Sequence, residues 1–93
     1  MTAAEYSDIA AGYVRGDDGN YTLYLYFQDP KGDILEYSRL NSESEWRKTN
    51  MIVDGAKGTG LAFVYRKTLI SSSPLLVYQN IKHELVLWLR SAL

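Results

Sequence analysis

The chain has 93 residues, of which 46% are hydrophobic and 23% are charged, and its 10 basic and 11 acidic residues give a formal net charge of −1. A chain of this length forms one core and buries only about two-thirds of its unfolded surface. With no cysteine and one histidine, His83, it cannot form a disulfide and has no transition-metal ligand cluster. We therefore expect one domain, 1–93, stabilised by association with copies of itself, and no nucleic-acid partner.

The predicted elements are all β-strands. Eight tyrosines lie among Val, Ile, Leu and Thr, the residue types that strands favour. Seven strands between turn signals are predicted, at Ile9–Val14, Thr22–Gln28, Asp33–Arg39, Trp46–Val53, Leu61–Arg66, Leu75–Gln79 and Glu84–Arg90. The Gly-, Asp- and Asn- or Pro-containing segments 16–20 and 29–32 predict hairpin turns. Neither alternating face of 23–27 is polar, which predicts a strand covered on both sides.

The chain contains an internal repeat. A shift of 51 residues places Phe27–Lys31 over Tyr78–Lys82 and continues without a gap to Arg39 over Arg90. A shift of 52 residues does the same for the first strand of each unit. The units are 8–56 and a shortened 60–90, and such four-stranded units of roughly 40 to 50 residues are typical of propeller blades. The repeat favours a strand over a helix in 82–93, where five consecutive apolar residues leave the periodicity ambiguous.

The short second unit predicts an unpaired strand edge. That unit ends before a fourth strand, and the segment Thr2–Tyr6 precedes the first strand without an evident role. An unpaired strand edge accepts an extended segment from another chain. One hypothesis is therefore that Thr2–Tyr6 supplies the missing strand of another copy.

The repeat units also resemble a known family. The residues that carry the resemblance are Ile9-Ala10-Ala11, Leu25–Asp29, Gly32–Glu36, Trp46, Gly55–Lys57 and Leu61-Ala62. Together they resemble the first two blades of the fungal fucose-specific lectins of the Aleuria type, over nearly the whole chain. The resemblance implies an all-β fold with two four-stranded propeller-type blades per chain, completing a six-bladed β-propeller by oligomerisation. A homo-oligomer of three chains is the simplest closed ring.

The resemblance also implies a site for fucosylated or related glycans between blades. In the family an arginine, a glutamate and a tryptophan hold fucose; the glutamate corresponds to Glu36 and the tryptophan to Trp46. The arginine corresponds to Tyr24, which has no positive charge and no forked pair of donors. Arg39 and Arg47 are candidates to replace it. Structural interpretations stay open: Tyr24 as packing between blades, Trp46 as a blade-edge aromatic, and Glu36 as an exposed strand carboxylate.

The second unit suggests an alternative function. Leu75 and Leu87 occupy its arginine and glutamate positions, so at most one polar pocket per chain is expected. The alternative is a propeller fragment that binds no sugar and serves self-assembly or protein docking.

The sequence shows no signs of enzyme activity, of a cofactor or of a membrane segment. It shows no nucleophile–base pair, phosphate loop or metal cluster, so we expect no enzyme activity and no cofactor. It also lacks an apolar run of about 20 residues and a signal peptide. We expect a soluble chain without membrane insertion, and leave open whether it is cytoplasmic or secreted by a non-classical route.

Overall fold

The computed structural model describes residues 2–16, 19–67 and 72–90, which form seven strands in two antiparallel sheets. The strands are β1 (Ile9–Arg15), β2 (Tyr21–Gln28), β3 (Ile34–Leu40), β4 (Arg47–Ile52), β5 (Ala62–Lys67), β6 (Ser72–Gln79) and β7 (Leu85–Leu89). The first sheet has the order β1-β2-β3-β4 and the second has the order β5-β6-β7. The all-β prediction is confirmed, including a strand near the C-terminus. The centre of the hairpin turn predicted at 16–20 lies outside the described residues.

The second sheet differs from the blade of four strands that the resemblance implies. In the described residues it has three strands, so β7 forms its edge. Leu85, Leu87 and Leu89 are 77%, 66% and 47% exposed, all on one face of β7. This sheet therefore presents an apolar surface that the described chain leaves open.

The two sheets have the same pairing register. In the first sheet Tyr26 pairs with Ala10 on β1 and with Glu36 on β3. In the second sheet Val77, 51 residues later, pairs with Ala62 on β5 and with Leu87 on β7. The repeat shifts in the sequence therefore relate equivalent positions in space.

The turn after the second strand of each sheet is also repeated. The Asp29 carboxylate accepts hydrogen bonds from the N–H groups of Lys31 and Asp33, and the Asn80 side-chain oxygen accepts the equivalent bonds two and four residues later. Gly32 and His83 both have positive φ, 94° and 65°. His83 therefore occupies the same place in its turn as Gly32 does in the first turn.

The core lies between the two sheets. Alternation along β2 points Tyr24, Tyr26 and Gln28 toward the second sheet, where all three are buried. The Phe63 ring lies 6.2 Å from the rings of both Tyr24 and Tyr26. Gly12 permits this approach, because a Cβ built there would lie 2.3 Å from the Phe63 ring. On the other face of β2, Phe27 is buried and stacks on Tyr37 at 5.6 Å.

Candidate functional site

A buried carboxylate stands at the centre of the contact between the sheets. The Glu36 side chain is 1% exposed. Its Oε2 accepts a hydrogen bond from the Tyr26 hydroxyl. Its Oε1 accepts bonds from Thr49 Oγ1 at 2.6 Å, Arg90 Nε at 2.9 Å and Asn50 Nδ2 at 3.2 Å. Of the interpretations left open for Glu36, the exposed strand carboxylate is wrong, because both oxygens are enclosed and bonded.

A bulge in β4 supplies two of these donors. Glu36 pairs with Asn50 and Tyr37 pairs with Lys48, which leaves Thr49 as an extra residue in β4. Consecutive residues of a regular strand point to opposite faces, whereas a bulge re-aims one of them. Thr49 and Asn50 therefore both reach the same carboxylate.

Arg90 brings a positive charge from the second sheet. Alternation along β7 turns Val86 and Trp88 to the core, and Arg90 follows in the same phase. Its side chain is 21% exposed, and its guanidinium lies 5.4 Å from the centre of the Tyr24 ring. Arg90 therefore links the sheets through an ion pair with Glu36 and a cation–π contact with Tyr24.

The hydrogen bonds fix the charge states of this group. Burial alone raises the pKa of Glu36, but the bonds from Thr49, Tyr26, Arg90 and Asn50 outweigh it and hold that pKa below its ordinary value. Burial lowers the pKa of Arg90, but the bond to Glu36 outweighs it and raises that pKa. Burial raises the pKa of Tyr24 and of Tyr26. At neutral pH the group is thus a carboxylate, a guanidinium and two neutral hydroxyls.

Trp46 lies apart from this group. It is half-buried, and the Arg39 guanidinium lies 5.4 Å from the centre of its ring. Arg39 alternates with the buried Ser38 and so points to the opposite face of the first sheet. The structure thus brings Tyr24 and Glu36 together and places Trp46 with Arg39.

The cation beside Glu36 is one that sequence reasoning did not assign. Arg39 donates to the Glu43 carbonyl at 2.6 Å, and Arg47 forms an ion pair with the Glu43 carboxylate at 2.9 Å. Neither of these predicted candidates replaces the family arginine at Glu36. Arg90 was visible as the repeat equivalent of Arg39, but the packing of one sheet on the other decides which arginine meets a carboxylate.

A surface cavity lies on the outer face of the second sheet. Its volume is about 320 Å³, and its lining includes Ala62, Val77, Gln79 and Leu85. These residues are the repeat equivalents of Ala10, Tyr26, Gln28 and Ile34, which are buried against the second sheet.

Comparisons with known proteins identify relatives. A family model described as fungal fucose-specific lectin matches residues 1–89. The crystal structure of AofleA from Arthrobotrys oligospora is similar with a TM-score of 0.77 at 22% identity, and that of its triple arginine-to-alanine mutant with 0.78 at 24%. Each alignment covers 97% of this chain and 26% of the other, so the chain spans about a quarter of their length. No curated protein matches it. In the described part of the chain no helix is long and apolar enough to cross a membrane.

Proposed function

Because the chain belongs to the fungal fucose-specific lectin family, we propose that it binds fucosylated or related glycans between its two sheets, without catalysis. The observation that carries this proposal is Arg90, which stands against Glu36 although the arginine position of the family pattern is Tyr24. Arg90 lies one residue beyond the range that the family model matches. A guanidinium from the residue that follows β7 then takes the place of the expected one.

Arg90 forms the sugar-binding part of the proposed site, and Tyr24 positions it. A guanidinium offers several donors in a fixed plane, which suits neighbouring sugar hydroxyls. The buried Tyr24 ring packs against the Phe63 ring and the Arg90 guanidinium, so it positions Arg90 for the sugar. Glu36, with both oxygens bonded, holds Arg90 in place rather than contacting the sugar directly.

Trp46 has a second place in the proposal. Its indole lies against the Arg39 guanidinium, as the Tyr24 ring lies against the Arg90 guanidinium. Trp46 therefore stays a candidate for sugar stacking at the outer face of the first sheet.

A conservative substitution tests the proposed site. Arg90→Lys keeps the charge that pairs with Glu36 but loses the forked donors, so we expect roughly tenfold weaker binding, as for loss of one charged hydrogen bond. The measurement is binding to a fucosylated glycan chosen from a glycan array. The matched control is Arg47→Lys, because the Arg47 side chain is 72% exposed and contacts Glu43. If Arg90→Lys binds like wild type, the site is not at Arg90, and Trp46→Phe then tests the other location.

A function without sugar binding is the alternative. The apolar residues Leu75 and Leu87 stand where the second unit would need polar groups, and the outer face of β7 is exposed. These features suit a fragment that serves self-assembly or protein docking. A blank glycan array from a stably assembled protein would support this alternative.

We also propose that the chain forms a homo-oligomer, with three copies giving six sheets. The support is the exposed leucines of β7, since apolar faces of this kind mark association surfaces. A monodisperse species near 10.6 kDa in light scattering would contradict this assembly.

A further inference from the structure

The contact between the two sheets is a model for a contact between two chains. Ile34 and Glu36 lie on the first sheet, face the second, and are 0% and 1% exposed. Their repeat equivalents on the outer face of the second sheet are Leu85 and Leu87, which are 77% and 66% exposed. The second sheet therefore repeats the surface that the first sheet buries.

The segment that joins the sheets shows what such a surface binds. Gln28 Nε2 donates to the carbonyls of Gly32 and Ala56, both at 2.9 Å, and Gln28 Oε1 accepts from the Gly58 N–H at 2.9 Å. A Cβ built on Gly55 would lie 2.7 Å from Ile34 Cδ1. Residues 55–58 thus fill the space beside Gln28 and Ile34.

The N-terminal segment 3–6 is the repeat of 55–58. The Ala4 N–H donates to the Gln28 carbonyl at 2.8 Å, and the Ala56 N–H donates to the Gln79 carbonyl at 2.8 Å. The following hydroxyls agree as well, because Ser7 Oγ accepts from the N–H of Gln28 and Thr59 Oγ1 accepts from the N–H of Gln79. Equivalent backbone segments therefore bind at the end of β2 in the first sheet and at the end of β6 in the second.

Gln79 matches Gln28 only in part. Gln79 Nε2 donates to the His83 carbonyl at 3.2 Å, as Gln28 Nε2 does to Gly32. The space that residues 55–58 fill beside Gln28 corresponds to the cavity of about 320 Å³ beside Gln79 and Leu85. This cavity is where a segment equivalent to 55–58 would lie.

We propose that residues 3–6 of a second copy of this chain occupy that cavity, with the Ala4 carbonyl of the second copy accepting a hydrogen bond from Gln79 Nε2. The first sheet of that copy then covers Leu85, Leu87 and Leu89. This rests on the assembly in the proposed function and names its contact. The bond made by Gly58 is not carried over, because Gly58 has a φ of 73° and Tyr6 at its equivalent position has no positive φ. The segment docks as a turn bonded to its own sheet, not as a donated strand.

The same register places Leu87 opposite Arg39 of the second copy. Within one chain Glu36 meets Arg90, and the repeat equivalents of this pair are Leu87 and Arg39. The Arg39 Nε is buried and has no hydrogen-bond partner among the described residues. A negative charge at position 87 is therefore tolerated in this contact, and a positive charge is repelled.

Light scattering at several protein concentrations tests this register. We expect the mass of wild type to be a multiple of 10.6 kDa. The Leu87→Lys oligomer should dissociate at protein concentrations at least 100-fold higher than wild type does. The dissociation concentration of Leu87→Glu should stay within about tenfold of wild type. Ile81→Lys is the matched control, because Ile81 is an exposed apolar residue of the turn outside this face. Equal dissociation of the Lys and Glu variants would overturn the register while leaving assembly intact. A monomeric wild type would contradict the assembly itself.

Cross-linking gives a second measurement, which the absence of native cysteine makes clean. An Ala4→Cys chain mixed with a Gln79→Cys chain should form a covalent heterodimer under mild oxidation. A mixture of Thr49→Cys and Gln79→Cys chains should not form this heterodimer, because Thr49 lies on β4 and not in the segment 3–6 that contacts Gln79 in the proposal. Assembled protein that gives no Ala4–Gln79 product would overturn the proposal.

Discussion

Replacing Glu36 with glutamine is expected to lower the free energy of unfolding by about 3 kcal/mol. Removing one partner of a buried ion pair costs about 3–5 kcal/mol, because the other charge stays desolvated. The lower end applies since the Arg90 side chain keeps 21% exposure. The measurement is urea denaturation of both proteins at one chain concentration, since association adds to stability.

The control for this change is Glu45→Gln, because Glu45 is exposed in the segment before β4. We expect it to change the free energy of unfolding by less than about 0.5 kcal/mol. A Glu36→Gln protein as stable as this control would mean that the ion pair with Arg90 contributes nothing to the contact between the sheets.

The same carboxylate makes stability depend on pH. The folded-state pKa of Glu36 is lowered, so its stabilising contribution is complete above the ordinary glutamate value of 4.5. The contribution is lost as the pH falls below that value through the lower pKa of the folded state. The free energy of unfolding, measured at a series of acid pH values, should therefore fall less steeply with decreasing pH for Glu36→Gln than for wild type. The same pH dependence of the free energy of unfolding in both proteins would show that another group controls the loss of stability in acid.

The second large effect is expected at Gly12. A Cβ there would lie 2.3 Å from two atoms of the Phe63 ring, which is itself packed between Tyr24 and Tyr26. Overpacking of this kind costs about 1–3 kcal/mol, so we expect Gly12→Ala to lower the free energy of unfolding by about 2 kcal/mol.

A double mutant separates this steric effect from the intrinsic preferences of the strand. Phe63→Leu replaces the ring that the new methyl meets with a smaller side chain, so the two changes together should cost less than the sum of the single changes. Gly60→Ala is the control, because a Cβ there meets only Asp8, at 4.0 Å. Additive effects of Gly12→Ala and Phe63→Leu would contradict the steric explanation.

The sequence predicted the strands because their signals are local. Apolar residues and turn signals predicted the bounds of each strand to within a few positions of the observed bounds. The final strand was ambiguous by periodicity, and the overlay of Tyr37 on Trp88 resolved it. The family resemblance implied four strands in the second sheet, whereas the described residues form three.

The candidate site was less accessible to such reasoning. Tyr24 and Glu36 lie on adjacent strands of one sheet, so their proximity follows from register. Arg90 reaches Glu36 from the other sheet, across 54 positions, and is equivalent to Arg39 in the repeat. Which of the two arginines faces a carboxylate depends on how the sheets stack, and no local pattern encodes that. Trp46 was predicted as the first residue of a strand, but β4 begins at Arg47, so strand alternation does not set the face of Trp46.

The wide separation of Glu36 and Arg90 has a consequence during synthesis. The last strand of the first sheet ends at Ile52, well before Arg90 is translated. Until then a nascent chain that closes this sheet lacks the Arg90 guanidinium that pairs with the Glu36 carboxylate. The face of this sheet that carries Glu36 therefore stays hydrated during synthesis until residue 90 has been added.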